Sequence, residues 1–178
     1  RIAYPDGELQ RLCKLLPTPL DLILRRFIPS QSLRSRLNER YELHDLPQDR
    51  SSEVPSLSGC FLLVRMALLQ GMGGFDERYF MYMEDVDLGD RLGRAGWQNV
   101  YAPSAEILHA KGHSTGRDPA RNLAAHHRST WTYLSDRHTG AARAPLRWAM
   151  RGALAVRSGL VVAKSRREQK REMRRGSR

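Results

Sequence analysis

Two carboxylates stand side by side at Glu84 and Asp85, directly after the apolar run Tyr-Phe-Met-Tyr-Met (79–83). A third acid follows at Asp87, within Glu-Asp-Val-Asp-Leu. Acids at the start of a helix ordinarily cap it or complement its dipole. Five large apolar residues just before them would hold that helix start against a pocket wall. A carboxylate in such a place can take a proton from a hydroxyl, or orient one. Two other acids of the stretch have a simpler role. Asp87 with Arg91, and Asp90 with Arg94, are acid-before-base pairs four residues apart, each worth about 0.2–0.5 kcal/mol on a helix. Asp76 and Glu77 belong to the glycine-rich turn that precedes them.

Histidines supply the second candidate chemistry. His109 ends the apolar stretch Ala-Glu-Ile-Leu, and His113 follows after Ala-Lys-Gly. A histidine at a strand end is a structural residue more often than a ligand. The intervening glycine does not fit the helical His-Glu-x-x-His pattern, so a zinc protease is not supported. His126 and His127 fall within a helical pattern with no partner signal in the sequence and are read as structural or exposed.

The acids need a helix from Glu84 or Asp85 to Gly96, with Leu88, Leu92 and Ala95 buried and Trp97 turning back to the core. Upstream, Tyr4-Pro5-Asp6-Gly7 marks a turn. Thr18 and Pro19 open a short helix with Leu20, Ile23, Leu24 and Phe27 on one face, ending before Pro29. Residues 30–55 are polar and read as a loop. Leu57–Val64 is a continuous apolar run suited to a buried strand. A short helix over Arg65–Gln70 stops at Gly71, Gly73 and Gly74. Strands are expected near Asn99–Ala102 and Ala105–His109. Asp118-Pro119 opens a helix that runs to Thr139-Gly140. A second helix begins near Pro145, with Leu146, Ala149, Met150, Ala153, Val156, Leu160 and Val161 on one face and Arg143, Arg147 and Arg151 on another.

Composition bounds what such elements can serve. The chain has 178 residues, formal charge +11, 40% hydrophobic and 28% charged residues. That suits an ordinary domain with a core, soluble or peripheral to a membrane. Cys13 and Cys60 match no metal spacing and suit a reduced compartment. From Lys164 to Arg178, eight Lys or Arg stand against two Glu, so net +6 lies in the tail. A basic amphipathic helix running into such a tail reads as lying on an anionic membrane surface, the other reading being a core helix with a wet basic face. Its arginines interrupt it too often for a membrane span. Nucleic acid is the alternative polyanion, yet no nucleic-acid-binding motif accompanies the charge, and no nucleic-acid partner is expected.

The combination Gly-Gly-Phe-Asp-Glu (73–77), Glu-Asp-x-Asp-Leu (84–88), then Gly-Trp (96–97) and Ile-Leu-His (107–109) strongly resembles the C-terminal half of family 2 glycosyltransferases, in the bacterial rhamnosyltransferase-like group. The resemblance covers most of residues 1–140. It implies an α/β fold, a partial GT-A domain with a Rossmann-like mixed sheet. Residues 141–178 would form a separate amphipathic helix and basic tail. It implies inverting transfer of a sugar from a nucleotide-diphosphate donor to a glycan or polyprenyl-linked acceptor in cell-envelope polysaccharide synthesis. It places the base at Asp85 and acceptor contacts at Glu84, Gly74 and Asp76. It gives donor-phosphate contacts to Lys111, His113 and Ser114 and a metal contact to His109, with Mg or Mn as cofactor. The expected location is the cytoplasmic face of the cell membrane. The family's nucleotide-binding half is not recognisable before Arg1, so the chain reads as an acceptor-side part. An inactive remnant is the other reading of that feature.

Overall fold

The computed structural model describes residues 1–11, 13–110 and 119–176, without the side chains of 26, 27, 166 and 168–176. The chain divides into two compact units, Arg1–Asp76 with Glu84–Lys111, and Glu77–Met83 with Gly112–Arg178.

In the first unit, β1 (Ile2–Ala3) pairs in parallel with β4 (Ile107–Leu108), Ile2 opposite Ile107. The turn after β1 closes as expected: Gly7 N–H donates to the Tyr4 carbonyl at 2.9 Å, with Gly7 at φ +88°. α1 (Pro19–Phe27) begins with the Thr18 cap, whose hydroxyl accepts the Asp21 N–H. Its apolar face is formed but not covered, since Leu20 and Ile23 are exposed.

The stretch 30–55 is not simply a loop. It holds α2 (Gln31–Tyr41) and β2 (Ser52–Glu53). Ser30 caps α2 by accepting the Leu33 N–H at 3.3 Å. α2 buries no residue and carries no apolar stripe, so hydrophobic periodicity had no signal to give. β2 runs antiparallel to β3 (Val100–Tyr101), Ser52 opposite Tyr101. The strands expected at 99–102 and 105–109 are present but reduced to two residues each.

A small core gathers under these strands from Cys13, Val54 and Tyr101, flanked by Leu43, Leu46 and Leu57. Both cysteines are free thiols. Burial pushes the Cys13 thiol up to about 11, so it stays protonated at neutral pH.

The buried strand expected at Leu57–Val64 does not form. Residues 59–61 turn, 62–65 are irregular, and Leu63 is 95% exposed. Two local facts account for this. The Gly59 N–H is taken by the Asp85 carboxylate rather than by a neighbouring strand. Among the described residues, no strand lies beside Phe61–Val64 to pair with it.

α3 (Met66–Gly71) follows as expected, with Gly73 and Gly74 at φ +76° and +73° reversing the chain. α4 (Glu84–Arg94) carries Glu84, Asp85 and Asp87 in its first turn and Arg91 and Arg94 in its last, the polarity its dipole favours. Leu88 and Leu92 are buried, but Ala95 and Trp97 are exposed, contrary to expectation. The helix has ended by Ala95, and Gly96 at φ +84° reverses the chain, so that the Trp97 N–H donates back to the Leu92 carbonyl at 3.0 Å.

The second unit is helical. α5 (Pro119–Arg137) and α6 (Ala144–Gly176) pack along each other, joined through Gly140 at φ +94°. α6 has 33 residues, about 50 Å at 1.5 Å per residue. Arg147 fixes the junction by donating to the His138 and Gly140 carbonyls at 2.9 and 2.8 Å. Of the apolar face expected on α6, Met150 is buried while Leu146, Val156 and Leu160 are exposed. Among the described residues, no helix is long and apolar enough to cross a membrane.

Candidate functional site

α4 is held in place by contacts at Gly89, Asn99 and Arg91. Gly89 packs against the chain at 55–56, where an added Cβ would stand in ordinary contact 3.5 Å from the Pro55 carbonyl oxygen. Asn99 clamps that approach, donating to the Gly89 carbonyl at 2.9 Å and the Pro55 carbonyl at 3.3 Å. Arg91 ties the helix to the glycine turn, donating to the Met72 and Gly74 carbonyls at 2.7 and 2.8 Å and to Asp87 at 2.8 Å. Asp87 and Asp90 are 5% and 6% exposed. These are largely desolvated carboxylates, Asp87 on a partly buried Arg91 and Asp90 on an exposed Arg94, more consequential than the surface pairs expected from spacing.

Asp85 is held from both sides. Its Oδ2 accepts the Gly59 N–H at 2.8 Å, and its Oδ1 accepts the Val86 N–H at 2.8 Å. A carboxylate has about four lone-pair sites, so among the described residues two acceptor positions stay open on a group whose orientation is set. A Cβ at Gly59 would sit 3.3 Å from the Asp85 Cβ, so only glycine gives this approach without displacement. Beside Asp85 opens a cavity of about 370 Å³ lined by Leu62, Leu63, Arg65, Leu88, Trp97 and Asn99, among others.

Glu84 differs from its neighbour. Its Oε2 is buried without a hydrogen-bond partner among the described residues. Burial raises its carboxyl above the ordinary value of 4.5, and the adjacent Asp85 charge adds to the rise. The two residues before it, Tyr82 and Met83, both adopt left-handed backbone at φ +68° and +71°. Non-glycine residues hold that conformation at a cost of roughly 1–2 kcal/mol each. Strain and an unpaired carboxylate oxygen therefore meet at one helix start.

That raised carboxyl predicts a pH dependence. Between the unfolded and folded values, the folded chain keeps a proton on Glu84 that the unfolded chain has lost. Stability from this group is full below the unfolded value and falls as pH rises toward the folded one. Glu84→Gln should therefore raise the melting temperature relative to the parent at about pH 8 and not at about pH 4. Calorimetry at the two pH values checks this; an equal shift at both would contradict it.

Tyr41, at the end of α2, belongs to the same electrostatic neighbourhood. Burial raises its phenol, the Arg25 guanidinium opposes the rise, and the charge of Asp85 adds to it. Arg25 stacks on the Tyr41 ring 3.6 Å from its centroid. Neither Gly59 nor Tyr41 was among the candidates read from sequence. A glycine inside an apolar run is the usual mark of a close backbone approach, and Gly59 carried it. Tyr41 carried no signal, because α2 was not recognised.

The other candidates are placed as follows. Gly74 is part of the turn held by Arg91, and Asp76 ends that turn, half-buried. His109 follows β4, half-buried, its Nδ1 2.9 Å from Gln10 Oε1. In that arrangement the amide oxygen takes the Nδ1 proton and leaves Nε2 as the ring's acceptor or ligand. His109 pairs with Gln10, not with the acids of α4. Among the described residues, no three His, Cys, Asp or Glu side chains converge to hold a metal ion. The described residues therefore do not themselves form the Mg or Mn site the resemblance implies. Lys111, His113 and Ser114 lie outside the described residues.

Comparison with known proteins follows this geometry. The model of the family "Glycosyltransferase like family 2" matches residues 15–150. N-acetylglucosaminyl-diphospho-decaprenol L-rhamnosyltransferase of Mycobacterium tuberculosis (strain H37Rv) is 51% identical over 175 residues, which are 96% of this chain and 55% of that protein. The protein of the same name in strain CDC 1551 matches to the same extent. Rhamnosyltransferase WbbL of Escherichia coli (strain K12) is 37% identical over 78 residues, 44% of this chain and 30% of that protein. The chain thus spans about half the length of the mycobacterial relatives it matches. No solved structure matches.

Proposed function

This chain belongs to glycosyltransferase-like family 2, and from that membership we propose that it supplies the acceptor side of an inverting glycosyltransferase. Its mixed α/β elements, with small parallel and antiparallel sheets, are consistent with a partial GT-A domain. The observation that carries the proposal is Asp85, oriented by two backbone N–H groups at a helix start and lining a cavity. In the proposed step, the acceptor hydroxyl oxygen bonds to the anomeric carbon of the donor sugar. The bond from that carbon to the nucleotide diphosphate breaks, and its electron pair leaves with the diphosphate. The hydroxyl proton passes to Asp85. A single base opposite the leaving group is what inversion needs, in contrast to the paired carboxylates of a retaining hydrolase.

Glu84, Gly74 and Asp76 are proposed to shape the acceptor site. The unpaired Glu84 oxygen supports this, since an acceptor hydroxyl would satisfy it. His109, with Lys111, His113 and Ser114, is proposed to face the donor diphosphate or its cation. The described residues build no cation site of their own, and the proton transfer to Asp85 is stated without one. From the names of the mycobacterial relatives, we take the donor sugar as L-rhamnose and the acceptor as a polyprenyl-diphosphate-linked N-acetylglucosamine. The exposed Leu146, Val156 and Leu160 of α6, followed by the basic tail, support contact with an anionic membrane surface on the cytoplasmic side.

The test fuses this chain to the portion of the relatives that it does not span. The fusion is given a nucleotide-diphosphate L-rhamnose and the lipid-linked acceptor. Nuclear magnetic resonance of the product should show the new linkage with the anomeric configuration opposite to the donor's. Retained configuration would contradict the single-base reading.

A further inference from the structure

The ring of Tyr41 carries two cations. The Arg25 guanidinium stacks on it at 3.6 Å from the centroid, and the Lys14 ammonium stands 6.0 Å from the same centroid. α1 brings Arg25, α2 ends on Tyr41, and the two helices pack together. Lys14 is drawn in by its neighbour, since the Leu15 N–H donates to the Tyr41 carbonyl at 2.9 Å. Like charges gathered at one ring repel each other, and an anion between them removes that cost. Among the described residues, neither Arg25 nor Lys14 forms an ion pair with a carboxylate. The two acids whose charges reach Tyr41 are Asp85 and Asp21. Asp21 is engaged by the Thr18 hydroxyl at 2.6 Å, and Asp85 by the Gly59 and Val86 N–H groups. The Arg25 Nε is buried and has no hydrogen-bond partner among the described residues. Buried donors are almost always paired, so this one marks a place for an acceptor.

Backbone bonds tie these cations to the segment that holds Asp85. The Lys14 N–H donates to the Ser56 carbonyl at 3.3 Å, and the Ser56 hydroxyl donates back to the Lys14 carbonyl at 2.9 Å. Three residues after Ser56 comes Gly59, whose N–H orients the Asp85 carboxylate. We propose that Arg25 and Lys14, gathered on the Tyr41 ring, bind the diphosphate of the lipid-linked acceptor. A guanidinium pairs a phosphate through two N–H groups at once, and an ammonium adds a point charge. The Tyr41 ring fixes the plane of the guanidinium, which makes Tyr41 a positioning residue. In an inverting transfer the donor's diphosphate leaves on the face away from the base, so a diphosphate held on the base's side belongs to the acceptor. The acceptor sugar then bridges from these cations to Asp85. Leu20 and Ile23, 63% and 48% exposed on the same helix as Arg25, offer apolar surface to the prenyl chain. This assignment rests on the polyprenyl-diphosphate acceptor proposed above. Its test reads binding rather than transfer, so it fails or stands separately from the role of Asp85.

The probe is farnesyl diphosphate, a short prenyl diphosphate, titrated by calorimetry into the full 178-residue chain. The salt is about 0.15 M, at which exposed charges are screened beyond about 8 Å. One molecule should bind per chain. Arg25→Gln should weaken binding at least about tenfold, the loss of one hydrogen bond to a charged group. Arg25→Lys should recover only part of this, because it restores the charge without the planar fork. Lys14→Gln tests the seat without altering α1 and should weaken binding about threefold or more. Arg143→Gln removes the same charge from an exposed residue of the second unit and should bind as the parent does. Thymidine and uridine diphosphates should bind at least about tenfold more weakly than farnesyl diphosphate, having no prenyl chain to lay on α1. Circular dichroism of each variant should match the parent. The proposal is overturned by absence of saturable binding, by parent-like affinity of Arg25→Gln or of Lys14→Gln, or by an equal loss in Arg143→Gln. It is also overturned if either nucleoside diphosphate binds as tightly as the prenyl probe, which would make the seat the donor's.

Discussion

Asp85→Asn is expected to lower sugar transfer by roughly 10³-fold, within the 10²–10⁴ that a positioned acid or base contributes, while the chain still folds. The structure sets out why folding should survive. Asp85 is half-buried at the start of α4, and its contacts are two backbone N–H bonds rather than core packing. An asparagine can offer its carbonyl oxygen to only one of these donors. Its amide then faces the other N–H, donor against donor. The expected stability loss is about 1 kcal/mol, that of one hydrogen bond. A loss of activity far beyond that structural cost belongs to the chemistry. The fused chain, assayed for transfer alongside a denaturant titration, gives both numbers.

Gly59→Val is the second large effect expected, and it works on geometry alone. The Cβ of any replacement would already sit 3.3 Å from the Asp85 Cβ and 3.7 Å from its Oδ2. Valine adds two methyl groups on that carbon, so Asp85 must move or its bond to residue 59 must break. A displacement of about 1 Å at a reacting group costs on the order of 10²-fold in rate. Transfer should therefore fall by about that factor, although the carboxylate itself is intact. Gly59→Ala should lie between the parent and the valine variant. Parent-like transfer by Gly59→Val would show that the orientation of Asp85 does not matter.

Much of this architecture was legible before any coordinates. Thr18-Pro19, Pro119 and the glycines at 7, 73, 74, 96 and 140 placed helix starts and reversals, because those residues act through their own backbone. The acidic helix was legible for the same reason, with charges matched to its ends. What stayed hidden depended on neighbours. α2 has no apolar stripe, since it buries nothing. Trp97 reads as a core residue by type, but it stands exposed just after the reversal at Gly96. Phe61–Val64 has the composition of a strand and lacks a strand to join, and composition cannot report a partner's presence. In the site, Asp85 and Glu84 were found by type and place, whereas Gly59 joins Asp85 through a hydrogen bond across 26 residues and Tyr41 feels its charge across 44. The i,i+4 pairs were correctly spaced, but their burial, and the bonds from Arg91 to the glycine turn, could not be read from spacing.

The central claim is that Asp85 removes the acceptor proton. The most direct measurement is single-turnover transfer by the Asp85→Asn fusion, with acceptor binding measured on the same protein. The account predicts acceptor affinity within about threefold of the parent and a chemical step slower by roughly 10³-fold. A parent-like rate for that step would contradict it.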